Sequence, residues 1–389
     1  MLGLDSDENS WADYPEVMPH VREHKLVAPE GQGAAVLIHY DLVHRGSARL
    51  VDKDGALWRP MHKWQFLRTE EPTAPTWDHD ADSFPAQPFD PLDDMTPANM
   101  SVWSWLKGQP PPTPALSGEE AGHLLADRER GDEPVRLGSA HALGQAAHHG
   151  DAEALEVLAT GLADARQAVQ RCSVHGLAAA GDAATEVALA ALGSDVPRTI
   201  GVGADVLGEC AVHPTLAAVD AVSAAMERLL AAIGSTPAPE RGAKQDAPAA
   251  AEYAALGACA ESLGNLAQRA VAAADGALYS AVAAALVPLM APPPNTPQAE
   301  KSMGNVQRKA AEAAMALCNA GDLGGAESHR LLVSGLRQCL GDENRYVIAS
   351  GAEGLRRLGA AGRRPAVQSA LEALVEQRWC PVTTPASQF

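Results

Sequence analysis

From Ser117 onward one phrase recurs: an apolar helix ending in Leu-Gly or Leu-Ala, then a turn with glycine and often aspartate. It reads AHALGQAAHHGD (140–151), VHGLAAAGDAA (174–184), GADVLGECAVHP (203–214), AESLGNLAQRA (260–270), AMALCNAGD (314–322) and AEGLRRLGAAGR (352–363). Marked by Leu143, Leu177, Leu207, Leu263, Leu317 and Leu358, successive copies lie 34, 30, 56, 54 and 41 residues apart. The two long steps each hold an insertion, STPAPERGAKQDAPA after Gly234 and APPPNTPQAEK after Met290. Without the insertions the period falls to roughly 30–45 residues, the range of paired-helix solenoids. Alanine and glycine dominate, so each helix is too weakly amphipathic to stand alone and must stack on its neighbour.

These phrases resemble HEAT repeats, in which an aspartate opens a turn and an arginine packs along the second helix. Asp195-Val196-Pro197-Arg198 and Asp342-Glu343-Asn344-Arg345 have that spelling and put an acid at a helix N-terminus. The resemblance implies five or six helix pairs over 117–378 and a C-terminal tail over 379–389. A solenoid of this kind implies a protein partner on its concave face. In the repeats, His141 and His148 sit seven apart on one helix face beside His149, read as a solvated face near a turn rather than a metal site. Arg356, Arg357, Arg363 and Arg364 form a basic cluster that either meets an acidic partner or balances neighbouring acids.

The net charge of -19 and pI near 5.0 exclude a basic face for a nucleic-acid backbone. The six cysteines are scattered without a CxxC pair, which reads as small apolar residues in a reducing compartment. The acidic N-terminus carries no hydrophobic signal region, and the apolar run 276–291 is too short for a bilayer and holds Pro288. A cytoplasmic protein that binds no membrane is the expectation.

Residues 33–68, GAAVLIHYDLVHRGSARLVDKDGALWRPMHKWQFLR, read differently. Ala34 to Ile38 is an apolar run bounded by glycines, as in a buried strand, and Asp52-Lys53-Asp54-Gly55 carries hairpin-turn chemistry. Leu57 to Leu67 reads as a second strand. His44 falls near the end of the first strand and Arg59 at the start of the second, a metal-binding imidazole beside a carboxylate-binding guanidinium.

Leu42-Val43-His44-Arg45-Gly46, Arg59 to Phe66 and the exit Arg68 to Trp77 together resemble the C-terminal part of the phytanoyl-CoA dioxygenase family. These are iron(II) and 2-oxoglutarate dependent oxygenases. The resemblance implies a partial double-stranded β-helix, or jelly roll, over 1–108. It assigns His44 to iron and Arg59 to the distal carboxylate of 2-oxoglutarate, with Arg49 as a weaker second candidate. The implied reaction is hydroxylation of a substrate the sequence does not specify. The family's upstream His-x-Asp pair has no counterpart before His44. His39-Tyr40-Asp41 has the spelling but lies on the same strand, and His79-Asp80-Ala81-Asp82 reads as a solvated acidic loop. His20 and His24, four apart, read as part of a solvated loop. The chain is therefore expected to be either the C-terminal part of an oxygenase or one whose oxygenase has become a structural remnant.

Residues 69–116 are dense in proline and tryptophan and read as a connector that wraps the β domain, with MSVWSWLKG (100–108) as a short helix docked on the sheet. A Pro-rich linker is placed at 109–116. The expected architecture is thus α+β but mainly α, a jelly-roll segment followed by a HEAT-like solenoid. Two functions follow, a 2-oxoglutarate oxygenase fused to repeats or a non-enzymatic interaction scaffold.

Overall fold

The computed structural model describes residues 72–75, 96–113, 117–126, 133–235, 249–290, 297–321, 323–342 and 344–375. Those residues form helices and turns, and there is no strand among them. The α+β expectation is corrected on this point: the described chain is all-helical. The stretch 33–68, expected to supply the jelly-roll strands, lies outside the described residues.

The helices are α1 (Thr96–Leu106), α2 (Gly118–Ala126), α3 (Glu133–His148), α4 (Ala152–Leu162), α5 (Gln167–Ala180), α6 (Thr185–Leu192) and α7 (Pro197–Cys210). They continue with α8 (Leu216–Ser235), α9 (Ala250–Ala272), α10 (Gly276–Leu286), α11 (Pro297–Asn319), α12 (Gly325–Cys339), α13 (Arg345–Arg357) and α14 (Ala360–Val375). Each even helix from α2 to α12 packs on the odd helix after it, and each odd helix from α3 to α11 packs on the next odd one. This is a two-layer stack of six helix pairs, α2/α3 to α12/α13, flanked by α1 and α14.

The repeat leucines explain the layering. Leu143, Leu177, Leu207, Leu263 and Leu317 lie in α3, α5, α7, α9 and α11, and none exposes surface. Leu358, also buried, instead caps the C-terminus of α13, whose fully buried apolar residues are Val347 and Leu355. Fully burying one leucine stabilises by about 1.5–3 kcal/mol, so a leucine fixed in every inner helix holds the stack together unit by unit. The insertion after Gly234 falls between α8 and α9, the partners of one pair, which pack on each other all the same. The apolar run that opens at 276 is interrupted near its proline: α10 stops at Leu286 and passes into a 3-10 turn at Val287–Met290.

Local rules set the helix starts. Asp151 and Asp275 cap α4 and α10, each accepting two backbone N–H bonds, and Asn344 caps α13 by accepting from the N–H of Tyr346. Asp195 does not cap α7. Val196 holds the cap position without a side-chain bond, and Pro197 starts the helix. The 100–108 helix docks on α3 rather than on a sheet. Buried Gln145 of α3 donates to the Pro97 carbonyl oxygen at 2.9 Å and to Ser101 Oγ at 3.0 Å, fastening α1 (Thr96–Leu106) across the first pair.

Inner helices approach more closely than most side chains permit. A Cβ added at Gly144 of α3 would overlap the carbonyl oxygen of Gly176 in α5. One at Gly208 of α7 would stand 2.9 Å from Cα of Ser262 in α9, and one at Gly264 would stand 3.0 Å from Cβ of Ala313 in α11. The even helices touch one another only along narrow strips. The odd helices therefore form the tighter, inner layer and the even helices the looser, outer one; curvature toward the tighter layer would put the odd helices on the concave side.

Gly144→Ala should destabilise the protein by about 1–3 kcal/mol, because the overlapped atom is backbone and cannot swing aside. This loss exceeds the helix-propensity gain of ~1 kcal/mol that alanine brings. Gly234→Ala in α8, where a Cβ meets nothing within 4 Å, should leave stability unchanged or raised. Urea titrations of both variants followed by circular dichroism check the contrast, and equal effects would contradict the close-packed inner layer.

Candidate functional site

Two residues before each of the first four repeat leucines, the inner helices carry a titratable side chain: His141 in α3, His175 in α5, Asp205 in α7 and Glu261 in α9. The leucine faces the core, and the residue two places earlier points to the concave side. Tight stacking then brings corresponding residues of successive helices together.

At the centre, α7, α9 and α11 present Asp205, Glu209, Glu261, Asn265 and Lys309. Lys309 Nζ pairs with Glu261 Oε2 at 2.9 Å, and its aliphatic stem crosses α9 over Gly257, where a Cβ would stand 3.2 Å from the lysine Cδ. Asn265 Nδ2 donates to Glu209 Oε1 at 3.1 Å. Asp205 faces Glu261 and Glu209, with Lys309 the one opposing cation acting on it. Its side chain touches solvent, yet the curved layer crowds it on several sides. That partial burial raises its carboxyl to about 6; Glu261 adds to the rise, Lys309 opposes it and Glu209 adds again.

Either side of this centre the inner face changes character. Toward the N-terminal end His141 stacks on His175 with ring centroids 6.4 Å apart, and burial, helped by the charge of His175, lowers His141 to about 4. His141 is therefore neutral at neutral pH. Toward the C-terminal end, Arg308 pairs with Glu312 at 3.4 Å, and Ser350 Oγ donates to the same carboxylate at 3.4 Å. Glu353 accepts from Arg356 Nε at 2.6 Å and from Arg357 Nε at 2.8 Å. Arg356 is the main cause of its fall to about 2, with Arg357 adding to it.

The helix ends behind the face are closed by side chains from neighbouring helices. Arg269 of α9 donates from Nη1 to the carbonyl oxygens of Gly208 at 2.6 Å and Ala211 at 2.9 Å, and from Nη2 to that of Glu209 at 3.0 Å. It thereby satisfies the open carbonyls at the C-terminus of α7, where a cation is favoured. The Tyr279 hydroxyl donates to Leu317 O at 3.1 Å, and Gln170 Nε2 to Leu162 O at 2.7 Å. These bonds fix the angular position of each inner helix, and with it the direction of its charged side chains.

The sequence-derived candidates fare unevenly. His44 and Arg59, read as the iron and 2-oxoglutarate residues, lie outside the described residues, as do Arg49, His39, Asp41, His20, His24 and His79 to Asp82. His141, His148 and His149 do not gather as ligands. His141 stacks on α5, His148 Nδ1 lies 3.3 Å from the Ala180 carbonyl oxygen, and His149 meets His148 edge-on. Among the described residues no group of three or more His, Cys, Asp or Glu converges as a metal site. Arg356 and Arg357 balance Glu353, whereas Arg363 and Arg364 border an open depression with Val367 and Gln368. The described cysteines are buried as expected, and burial pushes the thiols of Cys210, Cys259, Cys318 and Cys339 up to about 12. The central carboxylates were legible only in the column two places before the aligned leucines, where Asp205 and Glu261 replace the two histidines.

No family model matches the chain, and no curated protein matches it. Among solved structures, an engineered protein is similar over 63% of this chain and 97% of its own, at 20% identity and a TM-score of 0.34. A designed armadillo repeat protein is similar over 62% of this chain and 100% of its own, at 14% identity and a TM-score of 0.33. The recognition of a phytanoyl-CoA dioxygenase domain is therefore corrected, and with it the dioxygenase and jelly-roll assignments. No family model supports it, and the described fold is helical throughout. Among the described residues no helix is long and apolar enough to cross a membrane.

Asp205 supplies a direct check on the geometry of the centre. Its folded-state value of about 6 lies above the ordinary carboxylate range, so the folded chain binds the proton more tightly than the unfolded one. This group therefore makes stability fall as pH rises from about 4 to about 6, and its full penalty applies above that. Asp205→Asn should raise the melting temperature at pH 8 and give no gain at pH 4. A loss of equal size at both values would mean that the carboxylates are not crowded as described.

Proposed function

We propose that the chain is a non-enzymatic interaction scaffold whose concave inner layer is its partner-binding surface. The observation that carries this reading is the row of polar, titratable side chains, two histidines and then two carboxylates, set at corresponding positions of four successive inner helices. A stack of this kind offers a long continuous surface whose specificity lies in side chains that the core does not use. The inner backbone cannot shift without breaking its close contacts, so the row is pre-organised and little ordering cost is left for binding.

A photo-crosslinking residue tests this at inner positions Asn305 and Ala349, compared with outer positions Glu156 and Glu186, all four exposed. In extract of the source cells, the inner positions should give discrete adducts of defined mass that excess unlabelled protein competes away, and the outer positions should not. Equal labelling from both layers, or none from the inner one, would reject the concave face as the binding surface.

A further inference from the structure

We propose that the central part of the concave face, across α7, α9 and α11, is the docking surface for a lysine- or arginine-rich extended segment of a partner. This rests on the scaffold reading and adds the chemistry of the partner. Three carboxylates, Asp205, Glu209 and Glu261, meet there across two helices. Lys309 is committed to Glu261, and Asn265 supplies a neutral donor to Glu209. Among the described residues Asp205 has no direct cationic partner, and it faces two like charges. A second ammonium or guanidinium entering beside Lys309 would relieve that imbalance, and Lys309 itself shows that a long cationic side chain can lie along this surface and end on its carboxylates.

The floor points the same way. Ser262 is only 2% exposed, and its Oγ has no hydrogen-bond partner among the described residues. It sits against Gly208 beside Asn265 Nδ2, both 3.3 Å from where a Cβ at 208 would stand, so an unsatisfied polar atom lies directly under the Asn265–Glu209 bond. Gly257 and Ala258 nearby are buried, and the stem of Lys309 lies over Gly257. Inner helices packed this closely are about 8–10 Å apart, which matches about three residues of an extended chain. A segment crossing the helices can therefore place a cation over each in turn.

The test measures binding of a fluorescent nine-residue lysine peptide to the full chain by anisotropy, beside a Ser/Gly peptide of the same length. The lysine peptide should bind at least tenfold more tightly than the neutral one. The triple variant Asp205→Asn, Glu209→Gln, Glu261→Gln should lose tenfold or more of that affinity. Glu156→Gln, Glu186→Gln, Asp220→Asn removes three charges from the outer layer and should stay within twofold of wild type; circular dichroism confirms that both variants fold. Equal losses in the two triple variants would mean diffuse attraction to an acidic protein and would overturn the proposal, as would failure to prefer lysine over Ser/Gly. If inner-face crosslinks to a partner persist in that case, the scaffold reading stands and only the cationic class of partner falls.

Discussion

The contact between inner helices at glycine and alanine is what everything else in this structure depends on. Helices that meet through leucine side chains sit farther apart and leave room for rotation about their axes. At Gly144 against Gly176, and at Gly208 against Ser262, backbone meets backbone, and rotation of one helix against the other is restricted. The low aromatic content follows from the same constraint, since a ring has no place in such a seam. Among the described residues the one fully buried tyrosine, Tyr279, belongs to outer helix α10 and spends its hydroxyl on the open end of inner helix α11.

Close helices leave their terminal carbonyls in places that water reaches poorly, so the chain supplies donors from neighbouring helices. Arg269 closes α7, Tyr279 closes α11, Gln170 closes α4 and Arg228 donates to the Leu192 carbonyl at the end of α6. The residue types differ while the task is the same, which is why no fixed motif marks it. Loss of one such donor leaves a buried carbonyl unpaired, a penalty of about 1–3 kcal/mol, and also frees the helix it held in place.

The period of the leucines made the helical pairs legible, because burial of one leucine per inner helix is a rule repeated along the chain. The acids read as helix openers were Asp195 and Asp342, whereas the caps that form are Asp151, Asp275 and Asn344, the last with its N–H on Asp342. Asp195 misled because Pro197 already starts α7 without it. The reading of 33–68 failed as a recognition for a related reason. Five apolar residues at 34–38 and a His-Arg-Gly triplet are short patterns that satisfy several structures, and nothing periodic backed them. The central carboxylates escaped because their meeting is a property of stacking: Asp205 and Glu261 are 56 residues apart in the chain, and only the inner-layer register sets them face to face.

That register turns a packing solution into an electrostatic problem. An inner layer close enough to exclude side chains from its seams also brings like charges on its surface within range of one another, in a hollow that solvent screens incompletely. The C-terminal pair solves this locally, with Arg356 and Arg357 both on Glu353. The centre does not, since one lysine serves a group of three carboxylates and Asp205 is pushed toward its neutral form. Exchanging Asp205 for a small neutral residue would remove the repulsion without disturbing any leucine or glycine of the stack. A cation brought beside Asp205, as the proposed partner segment would bring, would offset the repulsion from Glu261 and Glu209 that folding leaves in place.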